Sequence, residues 1–302
     1  MIQALRLNPR LRRWTLLAPS MAFIAIFMLA PIGLMAYVSV LERGEFGGVE
    51  WGSYTVEAYR SFLFERELDG TLVVNTDYLQ IFLRSFWLSL VTTLLALAVG
   101  FPTALYMALQ PERYRNVLVF LVTIPFWTNL LVRNYAWILL LRNNGLIDAS
   151  LNKLGITQEP INVLYTPLST GIGLTYSFLP FLVLPIYASL EKLDFRLVEA
   201  AFDLGADRLR ALTRVIIPMA APGIIAGCIL VFVPCLGAYV TPELLGGSKS
   251  MMIGNLIQAQ FGASRNWPFG AALAFALLAI VLLSMMVYAM RFKGPPGEEE
   301  RA

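Results

Sequence analysis

Ala220-Ala-Pro-Gly-Ile-Ile-Ala-Gly-Cys-Ile-Leu-Val-Phe-Val-Pro-Cys-Leu-Gly-Ala-Tyr-Val240 contains no charged side chain. As a helix rising 1.5 Å per residue, such a run spans about 30 Å, the hydrocarbon thickness of a bilayer. The composition around it agrees. Of 302 residues, 58% are hydrophobic and only 14% are charged, where a soluble domain carries about 25% charged residues. The chain lacks the charge to cover itself in water. A net charge of +3 is too small and too dispersed to suggest nucleic acid.

Five further runs of similar character lie on either side, at Trp14–Leu41, Leu79–Leu109, Val117–Leu141, Leu168–Leu190 and Pro268–Arg291. The expectation is an all-α polytopic membrane protein with six transmembrane helices. A cytoplasmic tail over 1–13 precedes a membrane domain over 14–291, and a second tail covers 292–302. The first run follows Arg10, Arg12 and Arg13 but is too long for a signal-peptide core, and no clear small-x-small cleavage site follows, so it reads as a retained anchor. Lys and Arg set the orientation. With the N-terminus inside, inside segments hold 14 and the longer outside segments 7, so both termini are expected in the cytoplasm. The first outside segment is acidic, with eight Asp/Glu against three Arg between Glu42 and Tyr78.

Several runs contain Pro, among them Pro102, Pro125, Pro180, Pro185, Pro222 and Pro234. In lipid, a broken helix survives where protein or a water-filled cavity satisfies the freed backbone groups. These prolines mark either kinked helices around a path or ordinary packing positions. Cys228 and Cys235 fall seven apart on one helical face, two turns from each other and too far for a disulfide. They read as small packing residues.

Immediately before the quoted stretch, residues 191–219 form a segment of different character. Between Glu191 and Pro218 it holds five acids and five bases, with Leu193, Leu197, Ala200, Ala201 and Leu204 at helical spacing. Gly205 breaks the pattern, and Leu209, Leu212, Val215 and Ile216 begin a second amphipathic run. The pattern predicts two short helices joined at a glycine on the cytoplasmic face. A plain connector needs neither the glycine nor the paired faces; a docking element uses both.

Glu199-Ala200-Ala201, three residues, Gly205, nine residues, then Val215-x-Ile217-Pro218 resembles the EAA loop of binding-protein-dependent ABC importer permeases. Val215 and Ile217 depart from the family's Ile and Leu, both conservatively. Further segments resemble the polyamine branch of that family, the first permease subunit of spermidine/putrescine importers. They include Ile124-Pro-Phe-Trp-Thr-Asn129, Arg133-x-Tyr135-Ala-Trp137, Pro180-Phe-Leu-Val-Leu-Pro185, Thr241-Pro-Glu-Leu-Leu-Gly-Gly247 and Ile253-Gly-Asn255. The resemblance implies a type I ABC importer permease fold. It implies a coupling helix in which Glu199, Ala200, Ala201, Asp203, Gly205 and Arg208 meet an ATPase subunit. The implied partners are a second permease subunit, two ATPase subunits and an extracytoplasmic substrate-binding protein. No cofactor is expected on this chain, with ATP and Mg on the partner ATPase. The same importer type for an opine, amino acid or related amine stays open beside the polyamine.

Charges inside membrane runs are functional candidates. Arg84 lies near the end of its run, where it can snorkel. Arg133 lies deeper, near Asn129 and Tyr135, and either lines a path or bonds neighbouring helices. It would repel a cation unless paired, with Glu243 as the candidate partner. Glu243 is also the best acid for steering a cation. Trp127, Tyr135 and Tyr239 offer cation–π contacts or form an interfacial belt.

An enzyme finds little support. The chain has no His, which removes the commonest general base and metal ligand. Gly246-Gly247-Ser248-Lys249-Ser250 lacks the Gly that precedes the Walker A lysine. An ion-coupled secondary transporter would want intramembrane acids and an internal repeat; the runs hold almost no acids, and no convincing repeat is visible.

Overall fold

The computed structural model describes residues 9–66, 72–156, 162–247 and 250–291. Most of the N-terminal tail, all of the C-terminal tail at 292–302, and Lys249 lie outside these residues. The chain divides into two compact units, 1–75 with 257–302, and 76–256.

The larger unit is built on three long helices. Helix α3 (Asp77–Leu109) and helix α10 (Ile217–Leu236) both pack on α7 (Pro167–Glu191). Their shared core contains Ala96, Ala104, Met107, Leu182, Val183, Ile186, Leu190 and Val231. Small residues permit the approach: a Cβ on Gly100 would lie 2.5 Å from Leu182 Cδ2, and one on Gly227 would lie 3.0 Å from the Leu182 carbonyl oxygen. Close backbone approach replaces a hydrophobic driving force where the solvent is itself apolar. Helix α7 starts on a reciprocal cap between Thr166 and Ser169, with Pro167 at its first position, which satisfies end donors that would otherwise be orphaned.

The expected span at Val117–Leu141 is not one helix. It is α4 (Glu112–Trp127) followed by α5 (Leu130–Leu141) and a short α6 (Leu146–Lys153), with a bend of 89° at the first break. Thr128 and Asn129 are extended there. Thr128 Oγ1 donates to the Pro125 carbonyl at 2.7 Å, and Asn129 Oδ1 accepts from the Leu131 N–H at 2.8 Å. Both helix ends are thus capped by side chains, and the break leaves fewer exposed polar groups for lipid. Counting the bent pair as one span, the described residues hold up to six candidate spans.

Two other boundaries differ from expectation. The run from Leu209 is not a separate helix. Helix α9 (Arg208–Ala211) passes through a π-type turn at Leu212–Ile216 directly into α10, where Pro218 lacks the N–H that would continue an α ladder. Helix α10 itself stops at Leu236, four residues before the expected Val240, and a second π-type turn covers Pro242–Gly246 before α11 (Ile253–Phe261).

In the smaller unit, α1 (Pro9–Ser39) packs against α12 (Trp267–Arg291). Span Leu17–Ser39 is apolar and exposed over most of its surface, as a lipid-facing helix should be. After α1 the chain forms two small antiparallel hairpins, β1 (Leu41–Arg43) with β2 (Val49–Tyr54) and β3 (Phe64–Arg66) with β4 (Leu72–Val74), separated by α2 (Glu57–Arg60). Three of these four strands have only three residues, too short for a readable alternation, so the helical pattern did not anticipate them.

Candidate functional site

Three regions hold the candidate residues, and α10 separates the first two. Its 20 residues span about 30 Å.

At one end lies the segment 191–216. Helix α8 (Arg196–Asp203) buries Val198 and leaves Glu199, Ala200 and Asp203 exposed, with Ala201 half-buried. It ends at Gly205, whose φ of +82° is left-handed. Gly205 N–H donates to the Phe202 carbonyl at 2.9 Å, and Ala206 N–H to the Ala201 carbonyl at 2.9 Å. This paired closure satisfies the last carbonyls of the helix and requires a residue tolerant of positive φ. Asp207 then caps α9, its Oδ1 accepting from the Arg210 N–H at 2.7 Å. Arg208 is exposed beside it. Leu204 and Leu209 are 89% and 68% exposed, so the apolar edge of this element has no cover within the described residues. All six residues proposed for coupling thus lie on one continuous segment, and all but half-buried Ala201 are exposed.

The base of that segment is fixed. Arg115 donates from Nε to the Gln110 carbonyl at 2.7 Å and from Nη2 to the Ala108 carbonyl at 2.9 Å, closing the C-terminus of α3. Its Nη1 lies 3.9 Å from Glu191 Oε1, which also accepts from Tyr187 Oη at 2.9 Å.

At the other end, the chain leaving α10 re-enters as a compact turn. Buried Asn255 is its hub. Its Nδ2 donates to Glu243 Oε2 at 2.8 Å and to the Tyr239 carbonyl at 2.9 Å, while its Oδ1 accepts from the Met252 N–H at 3.3 Å. Ser85 Oγ of α3 accepts from the Ile253 N–H at 2.8 Å, and Ser169 Oγ of α7 donates to the Leu245 carbonyl at 2.7 Å. The interrupted backbone therefore finds side-chain partners on both neighbouring helices. Glu243 and Tyr239 keep exposed side chains. Asn255 belongs to a segment that the sequence brought forward only as a resemblance. Its bridging role depends on the turn between Leu236 and Ile253, which periodicity does not reveal.

The remaining path candidates sit on the broken span. Asn129 is the cap of α5, and Tyr135 is exposed. Trp127, 82% exposed, borders an apolar recess of about 360 Å³ with Thr123, Phe126, Pro180, Phe181 and Leu184. Arg133 does not pair with Glu243: among the described residues no ion pair joins them. The Arg133 Nε and Nη1 atoms are buried without an acceptor. Glu243 has turned to Asn255 instead. Helix α5 does pack on the Pro242–Gly246 turn, so the two charges share a neighbourhood without touching.

The family model described as a binding-protein-dependent transport system inner membrane component matches residues 100–292. The spermidine/putrescine transport system permease protein PotB of Escherichia coli is 43% identical over 218 residues, covering 72% of this chain and 79% of that protein. Its Haemophilus influenzae counterpart is 39% identical over 269 residues, covering 88% and 89%. Among solved structures, a chain of a bacterial ABC transporter involved in import of the acidic polysaccharide alginate aligns with a TM-score of 0.64 at 18% identity, over 96% of this chain and all of that one.

Proposed function

Because this chain belongs to the binding-protein-dependent transport system inner membrane components, we propose that it is the permease subunit through which an ABC importer moves a polyamine such as putrescine or spermidine. The observation that carries the substrate is the 39% identity to a spermidine/putrescine permease over 88% of this chain and 89% of that protein. The cluster chemistry agrees. Glu243 offers an exposed carboxylate for an ammonium group, and the recess beside Trp127 offers apolar walls for a methylene chain.

In this reading both termini and residues 191–219 are cytoplasmic, which the two-to-one Lys/Arg bias supports. Glu199, Ala200, Ala201, Asp203, Gly205 and Arg208 dock on an ATPase subunit, which supplies the ATP and Mg chemistry. A second permease subunit completes the path, and an extracytoplasmic binding protein delivers the solute. The exposed Leu204 and Leu209 beside small Ala200 suit burial against such a partner.

Uptake of radiolabelled putrescine and spermidine tests the reading, in cells lacking other polyamine importers and expressing the complete system. Saturable uptake that stops when the ATPase is inactivated is expected. Uptake of an amino acid or opine, without polyamine uptake or competition, would overturn the substrate assignment.

A further inference from the structure

The β1–β2 hairpin carries features that its own fold does not use. Its tip is the turn Gly44-Glu-Phe-Gly47, closed by the Gly47 N–H donating to the Gly44 carbonyl at 2.9 Å. Phe46 stands on that turn 91% exposed, the most solvated large apolar side chain among the described residues, with no ring partner among them. Trp51 and Tyr54, by contrast, pack around Tyr37 of α1, each with ring centroids 6.1 Å from it.

The tip is not a loose loop. Arg43 Nη2 donates to the Ser264 carbonyl at 2.9 Å, and the Gly48 N–H donates to the Arg265 carbonyl at 2.7 Å. A Cβ on Gly47 would lie 2.5 Å from the Arg265 Cβ. The hairpin is therefore braced on the turn that precedes α12, and Phe46 is held out in a fixed position. Pre-organisation of this kind lowers the cost of binding.

The charges point the same way. Glu42 and Glu50 are directly opposed in the β1–β2 register, an arrangement that costs stability in an isolated hairpin. Glu45 adjoins Phe46. All three are exposed, and none forms an ion pair among the described residues. A basic surface would relieve that repulsion while covering the ring. Insertion of Phe46 into a membrane surface would instead desolvate three carboxylates that have no paired charge.

We infer that the β1–β2 hairpin is a docking surface for the extracytoplasmic binding protein, with Phe46 as the apolar anchor and Glu42, Glu45 and Glu50 meeting a basic rim on that protein. This rests on the orientation and importer class proposed above. A single aromatic anchor in a desolvated pocket carries a large share of such an interface, while the surrounding charges set the association rate.

The test uses the complete transporter in nanodiscs and its purified binding protein, with and without spermidine. Phe46→Ala is expected to weaken binding about tenfold, chiefly through faster dissociation. Glu45→Lys with Glu50→Lys is expected to slow association and flatten its salt dependence. Unchanged affinity and rates in both variants overturn the docking assignment. The polyamine reading is separated by the ligand arm: wild-type binding that ignores spermidine sinks the substrate while the Phe46 comparison still decides the hairpin. Labelling of Phe46→Cys by an impermeant maleimide, in a chain with Cys228 and Cys235 replaced by Ala, tests the side. Labelling from the cytoplasmic side alone overturns both orientation and docking.

Discussion

A Cβ added at Gly205 meets nothing within 4 Å, whereas one added at Gly254 meets the carbonyl oxygens of Ala238 and Gly237 at 2.5 and 2.6 Å. Both glycines sit at breaks in the helical chain of the larger unit, near opposite ends of α10. Gly205 is there for its backbone angle, in a segment whose surface is open. Gly254 is there for its size, in a turn sealed against its own chain. The exposed break is thus built from local caps, Gly205 and Asp207. A break inside the transmembrane bundle is built from long-range bonds, Asn255 to Glu243, Ile253 to Ser85 and Leu245 to Ser169.

The largest effect is expected where the packing is tightest. Gly254→Val places side-chain atoms against two backbone oxygens that cannot rotate away. Overpacking costs about 1–3 kcal/mol or more when the backbone must move. The variant should be nearly absent from membranes, and what remains should melt early in detergent. Normal abundance would show that the 237–256 turn is looser than its contacts indicate.

Gly205→Asp should separate function from folding. An L-residue at φ near +82° costs about 1–2 kcal/mol locally, and no neighbour is struck. Membrane abundance should stay near wild type while solute uptake falls to background, because the α8 closure sets the angle between α8 and α9. Glu199→Lys should do the same by reversing an exposed charge on that element. Uptake at wild-type rate in both variants would remove the coupling role from 191–219.

How far each region was legible follows from the same contrast. The open segment announced itself, because amphipathic spacing and a glycine are local signals, although the Asp207 cap emerged only in the structure. The breaks inside the bundle did not. Pro125 precedes a break of 89°, yet Pro102, Pro180, Pro185 and Pro222 stay inside continuous helices. Proline removes one backbone bond in every case, so its presence does not distinguish a kink from a break; at the break after Pro125, Thr128 and Asn129 cap the ends. Likewise the pairing of Arg133 with Glu243 looked natural from charge alone. It fails in this structure because Asn255, twelve residues beyond Glu243, reaches the carboxylate first.

A smaller effect is expected at that carboxylate. Glu243→Gln keeps the shape and the hydrogen bond with Asn255 but removes the charge. It should raise the apparent KM for putrescine and spermidine about tenfold, since a bond to a charged group contributes about 1.5–3 kcal/mol, with abundance unchanged. Asn255→Ala should raise KM similarly and also lower thermal stability, because it leaves the Tyr239 carbonyl and the Met252 N–H without their partner. Uptake kinetics unmoved by Glu243→Gln for every cationic solute would take Glu243 off the path.

The smallest effect separates two contributions of one residue at the edge of the open segment. Arg115 both caps α3 and faces Glu191 at 3.9 Å. Glu191 is about half exposed, and an exposed ion pair at that distance contributes about 0–1 kcal/mol. Glu191→Gln should therefore move the thermal midpoint of the purified complex very little, since the amide oxygen still accepts from Tyr187 Oη. Arg115→Met should cost more, because the Ala108 and Gln110 carbonyls at the end of α3 lose charge-assisted donors. If the caps dominate, the double variant matches Arg115→Met alone within about 0.5 kcal/mol. A loss for Glu191→Gln equal to that for Arg115→Met would mean that the ion pair, rather than the helix cap, holds the base of the 191–216 segment.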